Sequence, residues 1–205
     1  MFNVCPNCGE LRADKIVVDG PYAICPVCEH KHKFLRLPLF IITGPSGAGK
    51  TTACLALAAQ TNDFVVLDSD ILYSDEFHEP ESYRRYREMW LRVCKNISQA
   101  GKPVMLCGSA VPEQFEQCVE RRYFSGIHYL ALVCEDEVLA SRLRSRPAWR
   151  GSSEDEYVQR HVEYNRWLKA NARTTEPPMT LLDTSEITVD ESVEEILRWA
   201  RHLTE

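Results

Sequence analysis

Gly44-Pro45-Ser46-Gly47-Ala48-Gly49-Lys50-Thr51 follows the apolar run Leu39-Phe40-Ile41-Ile42 and opens an alanine- and leucine-rich stretch that continues through Ala59. Strand, glycine loop and helix in that order are what a phosphate-binding loop requires. The glycines let backbone N–H groups turn inward on phosphate oxygens, and the helix behind adds its positive end. The candidate cradle is Gly44, Ser46, Gly47, Ala48, Gly49, Lys50, Thr51 and Thr52. Lys50 places a point charge by the β- and γ-phosphates, and Thr51 offers a hydroxyl to Mg²⁺.

Around this loop lies a chain of 205 residues, enough for one ordinary domain and a small extra module. The net charge of −6 argues against broad electrostatic attachment to nucleic acid or an anionic membrane. No apolar run approaches the roughly 20 residues of a membrane span, and Met1-Phe2-Asn3-Val4 lacks a signal-peptide layout. Of the nine cysteines, Cys54, Cys94, Cys107, Cys118 and Cys134 are scattered singly. They read as reduced, mostly buried residues, which points to a cytoplasmic location.

The other four are paired. Cys5-Pro6-Asn7-Cys8 and Cys25-Pro26-Val27-Cys28 stand 16 residues apart. Each knuckle aims two thiolates at one ion, and two knuckles complete a closed tetrahedral site suited to structural Zn²⁺. Between them, Lys15-Ile16-Val17-Val18 and Tyr22-Ala23-Ile24 flank Asp19-Gly20, a hairpin turn signal. Residues 1–36 thus resemble a zinc ribbon that the metal helps to fold. His30 and His32 read as solvated residues leading into the next strand. The ribbon carries five Lys/Arg against four Asp/Glu, which leaves a cap, a protein-docking module and a nucleic-acid contact all open.

From residue 37 to 205 short apolar runs alternate with helical patterns, the signature of a parallel sheet covered by helices. The expected strands are Leu39–Thr43, Phe64–Asp68, Val104–Cys107, His128–Val133 and Met179–Leu182. Tyr83, Tyr86, Trp90, Val93 and Ile97 recur at helical spacing, as do Val193, Ile196, Leu197 and Ala200. Thr188-x-x-Glu191 and Ser153-x-x-Glu156 read as capping boxes.

Asp68-Ser69-Asp70 closes the second of these strands. Ligands in open parallel sheets bind beyond the carboxyl ends of the strands, so the pair should face the loop. One acid can take a hydroxyl proton while the other orients Mg²⁺-bound water or the acceptor. Asp68 is the expected base; Asp70 has capping of the following turn as its alternative. The strand Val104–Cys107 ends in Gly108-Ser109 without a carboxylate, and no guanine signature is present. Both absences disfavour a switch GTPase or a motor ATPase. Arg142, Arg144, Arg146 and Arg150 form a cationic cluster broken by Pro147 and Gly151. Arginine forks suit phosphate oxygens, and such a segment can close over a nucleotide; dipole complementation at a helix end is the alternative. Arg142 and Arg144 cannot share a helix face, so one of them at most points inward.

These motifs in this order, with Cys107-Gly108-Ser109-Ala110 and Leu182-Asp183-Thr184, resemble the small-molecule P-loop kinases over about residues 38–203. Gluconate kinase, shikimate kinase and chloramphenicol phosphotransferase are the members compared. The resemblance implies a three-layer α/β fold with a five-stranded parallel sheet in the order 2-3-1-4-5. It also implies ATP and Mg²⁺ as cofactors, with Lys50, Asp68, Asp70 and Arg146 as the catalytic set. Arg146, Arg142 and Arg150 would lie on the nucleotide phosphates, and Asp183 and Thr184 by the base. Gluconate kinases follow the acid pair with a His-Pro element, whereas this chain has Ile71-Leu72-Tyr73, and the ribbon is foreign to all three families.

The acceptor side is expected from Tyr83, Arg84, Arg87 and Trp90, whose aromatic faces and forks suit a nucleoside, a sugar or an anionic metabolite. The same spacing also suits core packing. Trp167 reads as packing, and Arg166 and His161 as a solvated face. The leading expectation is transfer of a γ-phosphate to a small molecule, with a nucleoside or nucleotide preferred. A polynucleotide-directed kinase or ATPase using the ribbon is the second reading, and a non-catalytic nucleotide-binding regulator the third.

Overall fold

The computed structural model describes residues 3–74, 76, 77 and 79–204. Met1 and Phe2, part of the stretch read for a signal peptide, lie outside them. The ribbon strands come first: β1 (Ile16–Val18), β2 (Tyr22–Ile24) and β3 (Lys31–Lys33) form an antiparallel sheet in that order. Asp19-Gly20 closes the first hairpin as its sequence requires, pairing Ile16 with Ile24 and Val18 with Tyr22. The third strand was not legible. Lys31-His32-Lys33 has little strand propensity, and pairing of His32 with Ala23 alone makes it one.

The second sheet begins with β4 (Leu39–Thr43), which feeds α1 (Lys50–Gln60) through the glycine loop. Next come β5 (Val65–Asp68), a 3-10 turn (Ser69–Leu72) and the long helix α2 (Pro80–Ser98). After β6 (Val104–Cys107) and α3 (Pro112–Glu116), a second 3-10 turn (Val119–Tyr123) leads to β7 (Ile127–Val133). The chain ends with α4 (Asp136–Arg144), α5 (Asp155–Asn171), β8 (Met179–Asp183) and α6 (Val189–His202). All five strands are parallel, in the order β5-β6-β4-β7-β8. Counted within this sheet, that is the expected 2-3-1-4-5.

Strand alternation sorts the core into two layers. Leu39 and Ile41 of β4 join Leu106, Tyr129 and Ala131 under α2, α3 and α5. Phe40 and Ile42 join Met105, Leu130 and Leu132 under α1 and α6. Each fully covered side chain of this size contributes about 1.5–3 kcal/mol. Both faces are buried, which is why the strand sequences read as continuous apolar runs.

Helix starts were partly legible. Thr188 and Glu191 form the capping box expected at α6. The Ser153–Glu156 box does not form: α5 starts one residue later, with Glu154 as an N-cap that makes no side-chain bond. An unanticipated box of Glu79 and Ser82 starts α2.

The ribbon is braced against the far half of α2 and the turn at Val119–Tyr123. Phe34 meets the Tyr123 ring edge-on with centroids 5.8 Å apart, and Ala23 packs with both. The Tyr123 hydroxyl donates to the Ala13 carbonyl, and Arg122 donates to that of Lys15. Leu35 and the Gln99 amide exchange two hydrogen bonds of 2.8 and 3.0 Å. At the centre, the fully buried Glu120 carboxylate takes hydrogen bonds from Lys95, Arg92 and Asn3. Burial pulls the Lys95 ammonium down to about 8, against the attraction of Glu120. Removing one member of a buried pair leaves the other uncompensated. Glu120→Gln is therefore expected to cost about 3–5 kcal/mol in urea denaturation. The double variant Lys95→Met, Glu120→Leu should recover most of that loss; a double variant equally unstable would show that the pairing itself is unimportant.

Candidate active site

The glycine loop is shaped by close approach. Gly44 sits at φ 144°, and a Cβ there would lie 2.4 Å from the Leu132 carbonyl oxygen, so no side chain fits against β7. Gly49, at φ 98°, is the left-handed residue that turns the chain into α1. Lys50 then folds back over the loop and donates to the carbonyls of Gly44 and Pro45 at 2.8 and 3.0 Å. Enclosure pulls its ammonium down to about 8, while Asp70 pulls the other way. It is still a cation at neutral pH. Thr51 and Thr52 stand exposed in the first turn of α1.

The acid pair lies as expected at the carboxyl end of β5, but the capping role falls on the other member. Asp68, not Asp70, is the N-cap: its Oδ1 accepts from the Asp70 amide at 2.9 Å. Asp70 is left projecting, and its carboxyl is raised, first by burial and then by Asp68, with Lys50 opposing. The turn carrying it is held from α2, because the Tyr86 hydroxyl donates to the Ser69 carbonyl. It is also wedged against β6. A Cβ on Gly108 would come within 1.9 Å of Ser69 Oγ, so the strand end that often carries an acid has no room for one.

Two cavities flank the loop. One, of about 290 Å³, is lined by Gly47, Ala48, Gly49, Thr52, Arg142, Arg146 and Thr184, with Ile187 and Val189 at its apolar end. Arg142 grips Thr184, donating to its carbonyl at 2.7 Å, and Thr184 Oγ1 in turn reaches the Ala48 carbonyl at 3.1 Å. Arg144 points away to Asp155, as the helical alternation requires. Asp183 departs from expectation: its carboxylate is taken by Ser185, and it is not among the residues lining this cavity. Arg150 lies over the exposed Trp149 ring at 5.1 Å, and its charge helps to lower the Asp70 carboxyl.

The other cavity, of about 460 Å³, opens between α2, α3 and the end of β6. Its walls are largely aromatic and apolar: Tyr83, Tyr86, Trp90, Phe115 and Tyr164, with Leu106 and Val111. Ser69, Gly108 and Ser109 form the end nearest the acid pair, and Arg87 and Gln114 are its polar walls. Arg87 Nε and Trp90 Nε1 are buried and make no hydrogen bond among the described residues. Tyr83, Arg87 and Trp90 are thus placed where expected. Arg84 is not; it is exposed and faces Glu81 at 3.7 Å. Helical spacing marked the α2 wall, and the run Tyr164–Trp167 raised the same choice between packing and ligand, but Phe115 and Gln114 come from an element that carried no readable signal.

His161 and Tyr157 correct a second expectation. Instead of decorating a solvated face, His161 Nδ1 accepts from the Ser46 amide at 3.2 Å, and the Tyr157 hydroxyl donates to Ser46 Oγ at 3.0 Å. They are one helical turn apart on α5, with ring centroids 4.4 Å apart. Trp167 is also less buried than packing would require: it is 39% exposed and stacks on Tyr164. Arg166, in contrast, pairs at the surface with Asp136.

A family model described as an AAA domain matches residues 41–160. The chain belongs to this AAA-domain family. Among solved structures, it is similar to a sugar kinase from Janibacter sp. HTCC2649 at 18% identity and a TM-score of 0.61, over 82% of this chain and 95% of that one. A gluconokinase from Sinorhizobium meliloti 1021 matches at 20% identity and a TM-score of 0.59, over 83% and 95% of the two chains. A shikimate kinase from Acinetobacter baumannii matches at 18% identity and 0.52, over 81% and 94%. No curated protein matches. At these identities the likeness is one of fold, and that fold is the P-loop kinase fold implied by the motifs.

What this AAA-domain chain adds is the ribbon. Its knuckles repeat one backbone pattern: Gly9 N donates to Cys5 O and Cys5 N to Glu10 O, as Glu29 N does to Cys25 O and Cys25 N to His30 O. Glu29 even takes the left-handed conformation of its counterpart Gly9, at φ 59° against 75°. The four sulfurs lie within 4.8 Å of one another, with Cys5–Cys28 at 3.6 Å and Cys8–Cys25 at 3.7 Å. A tetrahedron with Zn–S bonds of about 2.3 Å has edges of about 3.8 Å, so the donor set fits zinc. Elemental analysis is expected to find one zinc per chain. Chelation, or Cys25→Ser, should abolish hydrogen-exchange protection in β1–β3 while leaving β4–β8 protected; simultaneous loss of both sheets would contradict this.

Proposed function

We propose that this protein is an ATP- and Mg²⁺-dependent phosphotransferase that moves a γ-phosphate to a hydroxyl of a small molecule, and that the acceptor is a nucleoside or nucleotide. The observation that carries the reading is the aromatic cavity, which reaches Ser69 in the turn bearing Asp70 and shares no lining residue with the arginine-lined cavity at the glycine loop. Its volume lies in the usual range for small-molecule sites. Flat aromatic walls with few polar groups suit a heterocyclic ring better than a polyhydroxylated chain, whose hydroxyls would lose their water without replacement.

In this reading the chain divides into a zinc ribbon, residues 1–36, and a kinase domain, residues 37–205. The loop amides, Lys50 and Arg146 hold the phosphates, and Arg142 fixes Thr184 beside the nucleoside end. Thr51 would hold Mg²⁺, which would supply positive charge against the negative charge that develops between the phosphates. Asp70 takes the acceptor proton. It projects towards Lys50, whereas Asp68 is occupied in capping and keeps the Asp70 turn in place. Arg146 and Arg150, freed from the helix by Pro147, supply positive charge as the segment closes and excludes water. The ribbon braces α2 and does not read nucleic acid. In support, Lys15 is buried, which removes one of the ribbon's five cations from the surface, and Arg12, although exposed, is already paired with Asp14.

ADP release measured across nucleosides, nucleotides, sugars and aminocyclitols should rise with a nucleoside or nucleotide. Stimulation by sugars alone would overturn the acceptor assignment, and none by any acceptor, with ATP still bound, would overturn the transferase. The pH profile carries a second expectation. A base whose carboxyl is raised above the ordinary range loses its proton-accepting form at a higher pH than a free carboxylate. The acid limb of kcat/KM should therefore fall above pH ~4, and Asp70→Asn should lower kcat at least ~100-fold and abolish that limb. Asp68→Asn, which keeps a capping oxygen, should retain the limb.

A further inference from the structure

His161 is the group for which the reading above has no use. Its ring comes from α5, outside the loop and outside the strand end that bears the acids, yet it closes on the loop at Ser46. Accepting a hydrogen bond through Nδ1 requires the unprotonated nitrogen, so in this arrangement the imidazole is neutral. The surroundings agree. Burial is the largest effect holding the ring down, to about 4, followed by the charges of Lys50, Arg160 and Arg146. Lys50 comes from the loop, Arg146 from the segment after α4, and Arg160 from the ring's own helix. Tyr157 is the other titratable neighbour, and Asp70 lies beyond Lys50. Among the described residues no carboxylate bonds to the ring.

A third basic nitrogen beside Lys50 and Arg146 is unfavourable as long as it faces only cations. The same cluster becomes favourable around a polyanion. A terminal phosphate entering between Lys50 and Arg146 would reverse the field at the ring and stabilise its protonated form. It would also compete for the Ser46 amide, freeing Nδ1 to carry a proton. We propose that His161 is a ligand of the terminal phosphate: it gives up the Ser46 amide, takes one proton from solvent, and donates a charge-assisted hydrogen bond to the phosphoryl group that is transferred. Tyr157 keeps its hold on Ser46 Oγ and so keeps the first turns of α5 over the loop while the ring changes partner. The chain then distinguishes a triphosphate from a diphosphate by a protonation. This inference rests on the loop binding a nucleoside triphosphate, and its test needs neither acceptor nor turnover.

The test is calorimetric binding of the β,γ-imido analogue of ATP, and of ADP, to the full chain with Mg²⁺ at pH ~6.5, where the imidazole normally titrates. Running each titration in two buffers of different ionisation enthalpy gives the protons taken up. Wild type should take up more protons with the imido analogue than with ADP. His161→Gln, which retains an oxygen for the Ser46 amide, should lose that excess. It should also bind the analogue about tenfold more weakly while binding ADP as before. Equal weakening of both ligands, or unchanged proton uptake, would make His161 a packing residue and overturn the proposal. Should the variant fail to fold, histidine NMR on wild type decides. The His161 ring should move from the neutral to the imidazolium shift with the analogue and stay put with ADP; no movement overturns the proposal while the phosphate loop stands. If neither nucleotide binds, the loop reading falls and this proposal falls with it.

Discussion

The Lys50 ammonium is enclosed by the loop it belongs to, and the rest of the site is arranged around that one charge. Burial pulls the ammonium down, to about 8, even with the Asp70 charge opposing it. Two loop carbonyls and the Asp70 carboxylate keep the proton on. The compensation runs both ways, since Lys50 also restrains the rise in the Asp70 carboxyl. The Asp70 carboxylate and the Lys50 ammonium thus bias each other's protonation, and in the proposed reaction they would be the base and the phosphate-binding cation. Neither can be placed without the strand that carries the other, and β4 and β5 are separated in the sheet only by β6.

Helix α2 connects that gap to the ribbon. Its first half supplies the cavity wall and, through Tyr86, holds the turn that presents Asp70. Its second half carries Arg92 and Lys95 and ends at the C-cap Gln99, all of which meet the ribbon or the Glu120 carboxylate shared with it. A helix of 19 residues projecting beyond a four-residue strand needs a second surface to pack on, and the ribbon provides one. Folding energy supplied by a metal at the four cysteines would reach the cavity wall on α2 by this route.

The sheet was legible because both its faces are buried: every strand became a continuous apolar run, and five such runs separated by helices leave few arrangements. The loop and the knuckles were legible because each needs fixed residue types at fixed spacing. What escaped was decided by contacts remote in sequence. Lys31-His32-Lys33 is a strand only because β2 offers it an edge. His161 looked like surface because nothing within its own helix reports the loop 115 positions earlier. Phe115 joins one wall with Tyr164 although a strand, β7, and a helix, α4, lie between their helices in the chain. The acid pair lies between these extremes. Its position at the end of β5 followed from topology, but which carboxylate caps and which projects depended on a single backbone turn.

That turn shows why a cap and a base can stand two residues apart without competing. A carboxylate used as an N-cap has its lone pairs committed to backbone N–H groups, which fixes the start of the turn and favours the charged form. The residue two positions on is then rotated away from the strand, free of backbone partners, and left beside its charged neighbour. Burial raises the Asp70 carboxyl, and repulsion from Asp68 adds to it. The wedge of Gly108 against Ser69 keeps the turn from relaxing that arrangement. The missing carboxylate at the end of β6 and the projecting one after β5 are therefore consequences of a single packing contact. An acid on β6 would need the space that the Asp70 turn occupies.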